Sequence, residues 1–487
     1  MQFPYDNWAP DQGDIGAGYL LQADGVQPLP VGYGPYPSLV VASTAGALSG
    51  APRGLLGYQT ADGAWAVVGF TDSTVELKLA DDTWSVIDSG LVTTAGDDWS
   101  YVRFGTKLLY TNTSEGMRAY DVEAGGAASA VTAAGDPRWI FECGNILFAL
   151  DCIDNSGNRN NRLIRSSDFS DHTNWKTKGA DYQPLESGGA LIWGGKLSDT
   201  TALVLQQREV RLIQVGNVGN ALWGIKSIAS EFGAVGAKSC VSFDGAVYWL
   251  ATDGFRRFTT GGGIERIGAG RVDQWFLDRV DQSDLSLVQA SIDPFRKNVL
   301  WRWKRADALS TTVFTDVIGY NWQFNKWFTL QPETTYIGFS SQTAQTWDSM
   351  PDDLTWDGYD VIWDSRFLQG GQPIFGAMNA DYKFGYFSGG AMAATIETAI
   401  NDSPVSTLIG FARPQDDSPD GTLELGVRDA PDDATTWKTG QAKQTSGRVP
   451  LRGRGKYIAF RRNIPASSSW RSAKGIDHIQ ASAGGQK

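Results

Sequence analysis

The sequence predicts an all-β fold: a β-propeller of about six blades, with an extended N-terminal arm before it and a C-terminal β unit after it. Two observations carry this. Short, aromatic-rich segments joined by turn residues return about every 40–50 residues as far as residue 345, the spacing at which four-stranded blades repeat around an axis. Glycine is also abundant, at 57 of 487 residues against the roughly 7% of ordinary chains. It shows no Gly-X-Y period, and beside 19 tryptophans it signals many tight turns between short strands.

Residues 1–45 are rich in Gly, Pro and Tyr, as in LPVGYGPYPSLV. They cannot form a helix, and Tyr19, Tyr33, Tyr36 and Leu39 give them something to dock with. The expectation is an arm laid across another domain or a neighbouring subunit. Residues 46–393 hold the hairpin series. GLLGYQTADGAWAVVGF turns at Asp62-Gly63, TVELKLADDTWSVI near Asp81-Asp82, and RWIFECGNILFALDCID at Gly144-Asn145. CVSFDGAVYWLATDGFRRF carries two Asp-Gly pairs, Asp244-Gly245 and Asp253-Gly254, and VIGYNWQFNKWFTL turns between Gln323 and Lys326. Asp-Gly and Gly-Asn supply the positive φ that two-residue hairpins require. RVDQWFLDRVD, at 271–281, is the best helical candidate, with Val272, Trp275, Phe276 and Val280 at helical spacing. An acidic, Trp-rich run, WDSMPDDLTWDGYDVIWDSRF, closes this region. Residues 394–487 form the C-terminal β unit, through GTLELGVRD and GKYIAFRRNI.

The net charge is −12, which keeps a chain soluble and repels a phosphate backbone, so tight nucleic-acid binding by the whole surface is not expected. Three cysteines, Cys143, Cys152 and Cys240, do not make a disulfide framework and read as reduced core thiols. With two histidines, His172 and His478, a histidine-rich metal site is out of reach. No metal or cofactor is expected. The N-terminus carries three acids and no apolar run, unlike a signal peptide, and no stretch reaches the length of a membrane span.

The Asp-Gly pairs read as turn formers, since no loop has the twelve-residue spacing of a calcium site. SSDFSDHTNW, at 166–175, resembles the Asp-box turn of several propellers, in which Asp168 and Asp171 brace a hairpin and Trp175 packs beneath it. No set of carboxylates marks a glycosidase and no G-x-S-x-G elbow marks a hydrolase; GGG at 261–263 lacks the lysine of a phosphate loop. No catalytic residue is assigned. Trp347, Trp356 and Trp363, each followed by Asp, suit either an irregular segment anchored on a blade or a protein contact. Residues 446–474 hold eight basic residues and no acid. Within that run Arg448, Arg452, Arg454, Arg461 and Arg462 are expected to dock an acidic neighbour, because opposite fields orient and register two surfaces.

The order of these pieces resembles the tail nozzle (tail tubular) proteins of short-tailed bacteriophages. GYGPYPSL looks like the family's arm. The closest likeness is SIASEFGAVGAKSCVSFDGAVYWLATDGFRRFTTGGGIERIGAGRVDQWF, joined by YNWQFNKWF, LTWDGYDVIWDS and the closing GRVPLRGRGKYIAFRRNIPASSSWRSAKGID. The resemblance implies a non-enzymatic virion protein of the tail, assembled in the host cytoplasm. It implies a homo-oligomeric ring of six copies beneath a tail adaptor ring, retaining packaged double-stranded DNA and letting it leave. Tail fibres are among the implied partners, although this chain offers no long insertion to hold them. The alternatives from the residues alone are a carbohydrate-binding or glycan-cleaving propeller, or another tail hub or tip component.

Overall fold

The structure is a computed structural model describing residues 2–60, 65–94, 97–218, 221–310, 313–341 and 374–483. It is an all-β propeller. Six separate four-stranded antiparallel sheets stand as blades, at 54–89, 100–130, 139–184, 191–230, 241–266 and 336–391. The last is completed by the arm strand Pro37–Val41, whose Leu39 and Val40 pair with Phe387 and Tyr386. Four more antiparallel strands, at 289–330, take a place in the ring between 241–266 and 336–391. Their sheet does not stop at the blade. It runs on through arm strand Tyr19–Asp24 into the C-terminal strands. The first strand of each group lies against the next around the axis, and Tyr336–Ser341 returns to Gly54–Gln59 to close the circle.

Each blade lies between two neighbours, so several middle strands are buried on both faces instead of alternating. Ile146–Ile153 (ILFALDCI), Ala246–Ala251 (AVYWLA) and Asn298–Trp303 (NVLWRW) are buried almost end to end. The core is accordingly a series of inter-blade layers. Phe141, Phe148, Val204 and Trp223 fill one between 139–184 and 191–230, and Leu203, Val210, Val247 and Trp249 fill the next. Each fully buried Leu or Val there contributes roughly 1.5–3 kcal/mol relative to exposure.

The turns follow the sequence. Asp244 and Gly245 both have positive φ (48° and 76°), as do Gly144 and Asn145 (62° and 58°), the geometry of a two-residue hairpin loop. Asp82 and Asn325 are also left-handed. Asp62-Gly63 lies outside the described residues. The helical candidate shortens to Asp273–Leu277, with Val272 and Phe276 fully buried.

The arm docks on its own chain. Tyr33 and Tyr36 are completely buried and Tyr19 nearly so. Phe3–Pro4 pairs with Ala473–Ala483, and Tyr19–Asp24 pairs with Ala394–Thr398. The boundaries read at 45 and 393 therefore do not separate three units. Residues 3–35 share the C-terminal sheet, and 37–41 belong to a blade.

At one mouth of the axis, Lys238 of the segment leading into blade 241–266 meets Asp98, which leads into blade 100–130, at 2.5 Å. Two blades separate them on one side of the ring, so this ion pair spans the axis.

Candidate docking surface

Most of the basic run lies on the long strand Val449–Ile464, with Arg448 just before it; the strand is flanked by Asn401–Asp416 and, over its second half, by Thr422–Arg428. Side chains alternate between the faces of a strand, which sorts the arginines. From 450 to 454 the even positions face water, while Val449, Leu451 and Gly453 face inward. Beyond 457 the same even face is covered by the core, where Ile458, Phe460 and Ile464 are buried.

Arg448, Arg452 and Arg454 are thus exposed. Arg448 lies over the Phe411 ring at 4.4 Å, and Arg454 donates to the Ser406 hydroxyl at 3.0 Å. Leu408 pairs with Arg454 across the ladder and is 41% exposed, with Val405 nearby at 52%. Lys456 sits 4.0 Å from Asp402. The result is a basic face with apolar residues among its cations.

Arg462 is not part of it. It is fully buried and forks onto Asp416 at 2.9 and 3.1 Å, with a third bond to the Asp420 carbonyl at 2.8 Å. Asp416, itself buried, also accepts from Lys443 at 2.8 Å. Arg462 shares the parity of Arg452 and Arg454, but its end of that face is under the core. Arg461, on the other face, is also engaged within the chain. It bonds Glu397 at 2.7 Å and Glu424 at 3.3 Å and stacks on Trp437 at 3.9 Å. Of the five arginines expected to dock a neighbour, Arg462 is therefore ruled out by burial, Arg461 is held by intramolecular partners, and three remain. Trp347, Trp356 and Trp363 lie outside the described residues.

The Asp-box reading holds in detail. Asp168 accepts from the backbone N–H groups of Phe169 and Gly179 at 3.0 and 3.1 Å and from the Asn174 amide at 3.2 Å. Asp171 accepts from the Thr173 N–H and hydroxyl at 2.9 and 2.7 Å. Trp175 is buried and donates to the His172 carbonyl at 2.8 Å. These side chains are fully engaged in bracing a turn. Burial, and then the nearby Lys107, hold the His172 imidazole below its usual range. The three cysteines are buried free thiols. Cys143 packs between blades 139–184 and 191–230, whereas Cys152 packs on the opposite side of its blade. Burial pushes the Cys143 thiol up to about 12, far from a reactive thiolate.

No family model matches the chain, and no curated protein matches it. Among solved structures, the β-propeller domain of Cps50 (Swd1) from Myceliophteria thermophila is similar over 72% of this chain and 98% of its own, at 9% identity and a TM-score of 0.41. The WD40 β-propeller domain of Doa1 is similar over 72% and 97%, at 12% identity and a TM-score of 0.40. BamB from Moraxella catarrhalis is similar over 72% and 99%, at 10% identity and a TM-score of 0.35. At such identities and scores these likenesses carry no argument about function.

Proposed function

We propose that this chain is a virion structural protein, the tail nozzle subunit of a short-tailed bacteriophage, assembling as a ring that retains DNA and lets it leave. The observation that carries the reading is the exposed row Arg448, Arg452 and Arg454 on a chain of net charge −12. A basic strand face on an acidic body fits contact with an acidic adaptor ring, with opposite fields fixing register. Six copies at −12 each give −72 formal charges, and acidic walls do not grip a sliding phosphate backbone. The DNA path runs between subunits in this reading, because Lys238 and Asp98 meet across the propeller's own axis.

The test is assembly of the purified full chain with its adaptor, followed by mass photometry and negative-stain imaging. A ring on the adaptor is expected. A chain that stays monomeric with no ring at low salt overturns the reading. Reversing Arg452 and Arg454 to Glu should weaken assembly with a salt-sensitive component, since exposed charges are screened. Folding should change by less than about 0.5 kcal/mol. Normal assembly of that variant at low salt, with altered DNA ejection, would instead put these arginines on the channel wall.

A further inference from the structure

Blade 241–266 and the turn that follows Asn321 share a pocket of 280 Å³, near the lower end of the range of about 300–1,000 Å³ that small-molecule sites occupy. Three elements converge on it. Arg257 comes from strand Gly254–Thr259 and Arg266 from the end of Gly263–Arg266, while Arg271 precedes helix Asp273–Leu277. Tyr320, Trp322 and Asn325 come from the hairpin that joins Asp316–Asn321 to Lys326–Leu330. Burial raises the Tyr320 hydroxyl above its usual range, and Arg257 and then Arg271 oppose that rise. Two guanidinium groups therefore approach one point in the wall.

The charges here do not cancel. Arg256 holds Asp253 at 2.7 Å, Arg257 holds Glu265 at 2.6 Å, and Arg266 reaches Asp273 at 3.2 Å. Arg271 has no ion-pair partner among the described residues. Its Nη1 donates to the Asn325 carbonyl and Oδ1 at 2.9 and 3.0 Å. Its Nε and Nη2 have no acceptor among the described residues, and neither is buried. Asp11, whose N–H bonds the Arg271 carbonyl, spends its two oxygens on the Gln274 and Trp275 N–H groups at 2.9 and 2.8 Å. The hairpin side of the wall adds further donors. The Trp322 indole N–H has no partner among the described residues and can only donate. Asn325 Oδ1 already accepts from Arg271 and from the Tyr320 hydroxyl at 3.1 Å, which leaves its amide N–H groups. Among the described lining residues Glu265 is the one acid, and its side chain is 47% exposed.

We propose that this pocket binds inorganic phosphate or a small phosphate monoester, its terminal oxygens accepting from Arg271, Arg257 and the Trp322 indole. Donors arriving from a strand, a loop and a hairpin suit a tetrahedral oxyanion better than a planar carboxylate. Guanidinium bonds to phosphate oxygens are charge-assisted, and bidentate where two oxygens are presented. A monoester offers more charge and more terminal oxygens than a diester, so the pocket prefers it. Glu265 is the internal competitor: its carboxylate occupies Arg257, and the ligand shares or displaces it. The site lies within one chain and stands apart from ring assembly.

The experiment titrates the purified full chain with inorganic phosphate, phenyl phosphate and methyl phenyl phosphate, read by calorimetry against chloride at equal ionic strength. Phosphate should bind where chloride does not, and phenyl phosphate should bind about tenfold more tightly than the diester. Arg271→Gln should weaken phenyl phosphate by about tenfold or more, with melting curves showing that the variant remains folded. Glu265→Gln, which removes the competitor, should tighten it severalfold. If Arg271→Gln does not fold, the Glu265→Gln result decides alone. Phosphate binding no tighter than chloride, equal binding of monoester and diester, an affinity untouched by Arg271→Gln, or no gain with Glu265→Gln overturns the proposal.

Discussion

Replacing Arg462 should damage the C-terminal sheet, whereas the same replacement at Arg461 should hardly matter. Arg462 and Asp416 are both buried, with side chains 0% and 1% exposed. Removing one partner of such a pair leaves an uncompensated charge out of water, at a cost of roughly 3–5 kcal/mol. Lys443 stays on Asp416 at 2.8 Å and supplies part of the missing charge, so Arg462→Met belongs at the lower end, about 3 kcal/mol. Arg462→Glu places a second carboxylate against the first and should exceed about 5 kcal/mol, enough to unfold the sheet. Arg461→Met loses partly exposed pairs with Glu397 and Glu424 and should cost about 1 kcal/mol or less. Urea denaturation followed by tryptophan fluorescence gives the three values. Hydrogen exchange over 401–416 and 449–464 localises the loss. A cost below about 1 kcal/mol for Arg462→Met, or equal costs at 461 and 462, would refute the assignment of faces along this strand.

Burial lifts the Asp24 carboxyl from 3.8 to about 6, helped by Asp316 and opposed by the Thr329 hydroxyl bond. A raised carboxylate lowers stability as pH rises through that window, by about 3 kcal/mol in full or 1–3 kcal/mol after screening by the open crevice beside it. Asp24→Asn should therefore be more stable than wild type above pH 6 and equal to it near pH 4, checked by melting curves across pH; a pH-independent difference would contradict this. Asp168→Ala removes the acceptor of two backbone N–H groups and the Asn174 amide, and should cost about 1–3 kcal/mol while making Trp175 more accessible to acrylamide quenching. All three thiols should resist a disulfide reagent until the chain unfolds, because Cys143, Cys152 and Cys240 are buried; thiol titration with and without denaturant measures this.

Local features were legible in the sequence because their causes are local. Gly144-Asn145 and Asp244-Gly245 announce hairpins through the positive φ they accept, and the Asp-box carries most of its bracing groups within its own ten residues. What could not be read was pairing between distant segments. Nothing in PSLVV says that Pro37–Val41 completes a blade whose other strands begin at residue 336. Nor does Tyr19–Asp24 reveal that it carries the 289–330 sheet into the C-terminal strands. The basic run fails for the same reason. Arg452 and Arg462 have equal parity on one strand, and only the distant core over Ile458 and Phe460 makes one exposed and the other buried. The paired acid, Asp416, lies 46 residues away and looks in the sequence like any surface aspartate.

The sheet shared by the arm and the C-terminal strands bears on how a load would travel through this molecule. Phe3–Pro4 and Ala473–Ala483 enter one sheet, and that sheet includes the strands 289–330 that sit in the propeller ring. A force applied to the Arg448–Arg454 face is carried first by the ladder between 449–464 and 401–416, and then through Ala394–Thr398 to Tyr19–Asp24. From there it reaches the propeller by backbone pairing, not by a flexible linker. The ring is also held shut at its last blade by Pro37–Val41, which follows directly on the arm strands bound into that sheet. Opening the propeller would require freeing this strand while its N-terminal neighbours remain hydrogen-bonded at Tyr33 and Phe3. The basic strand face and the propeller are thus joined by continuous backbone pairing.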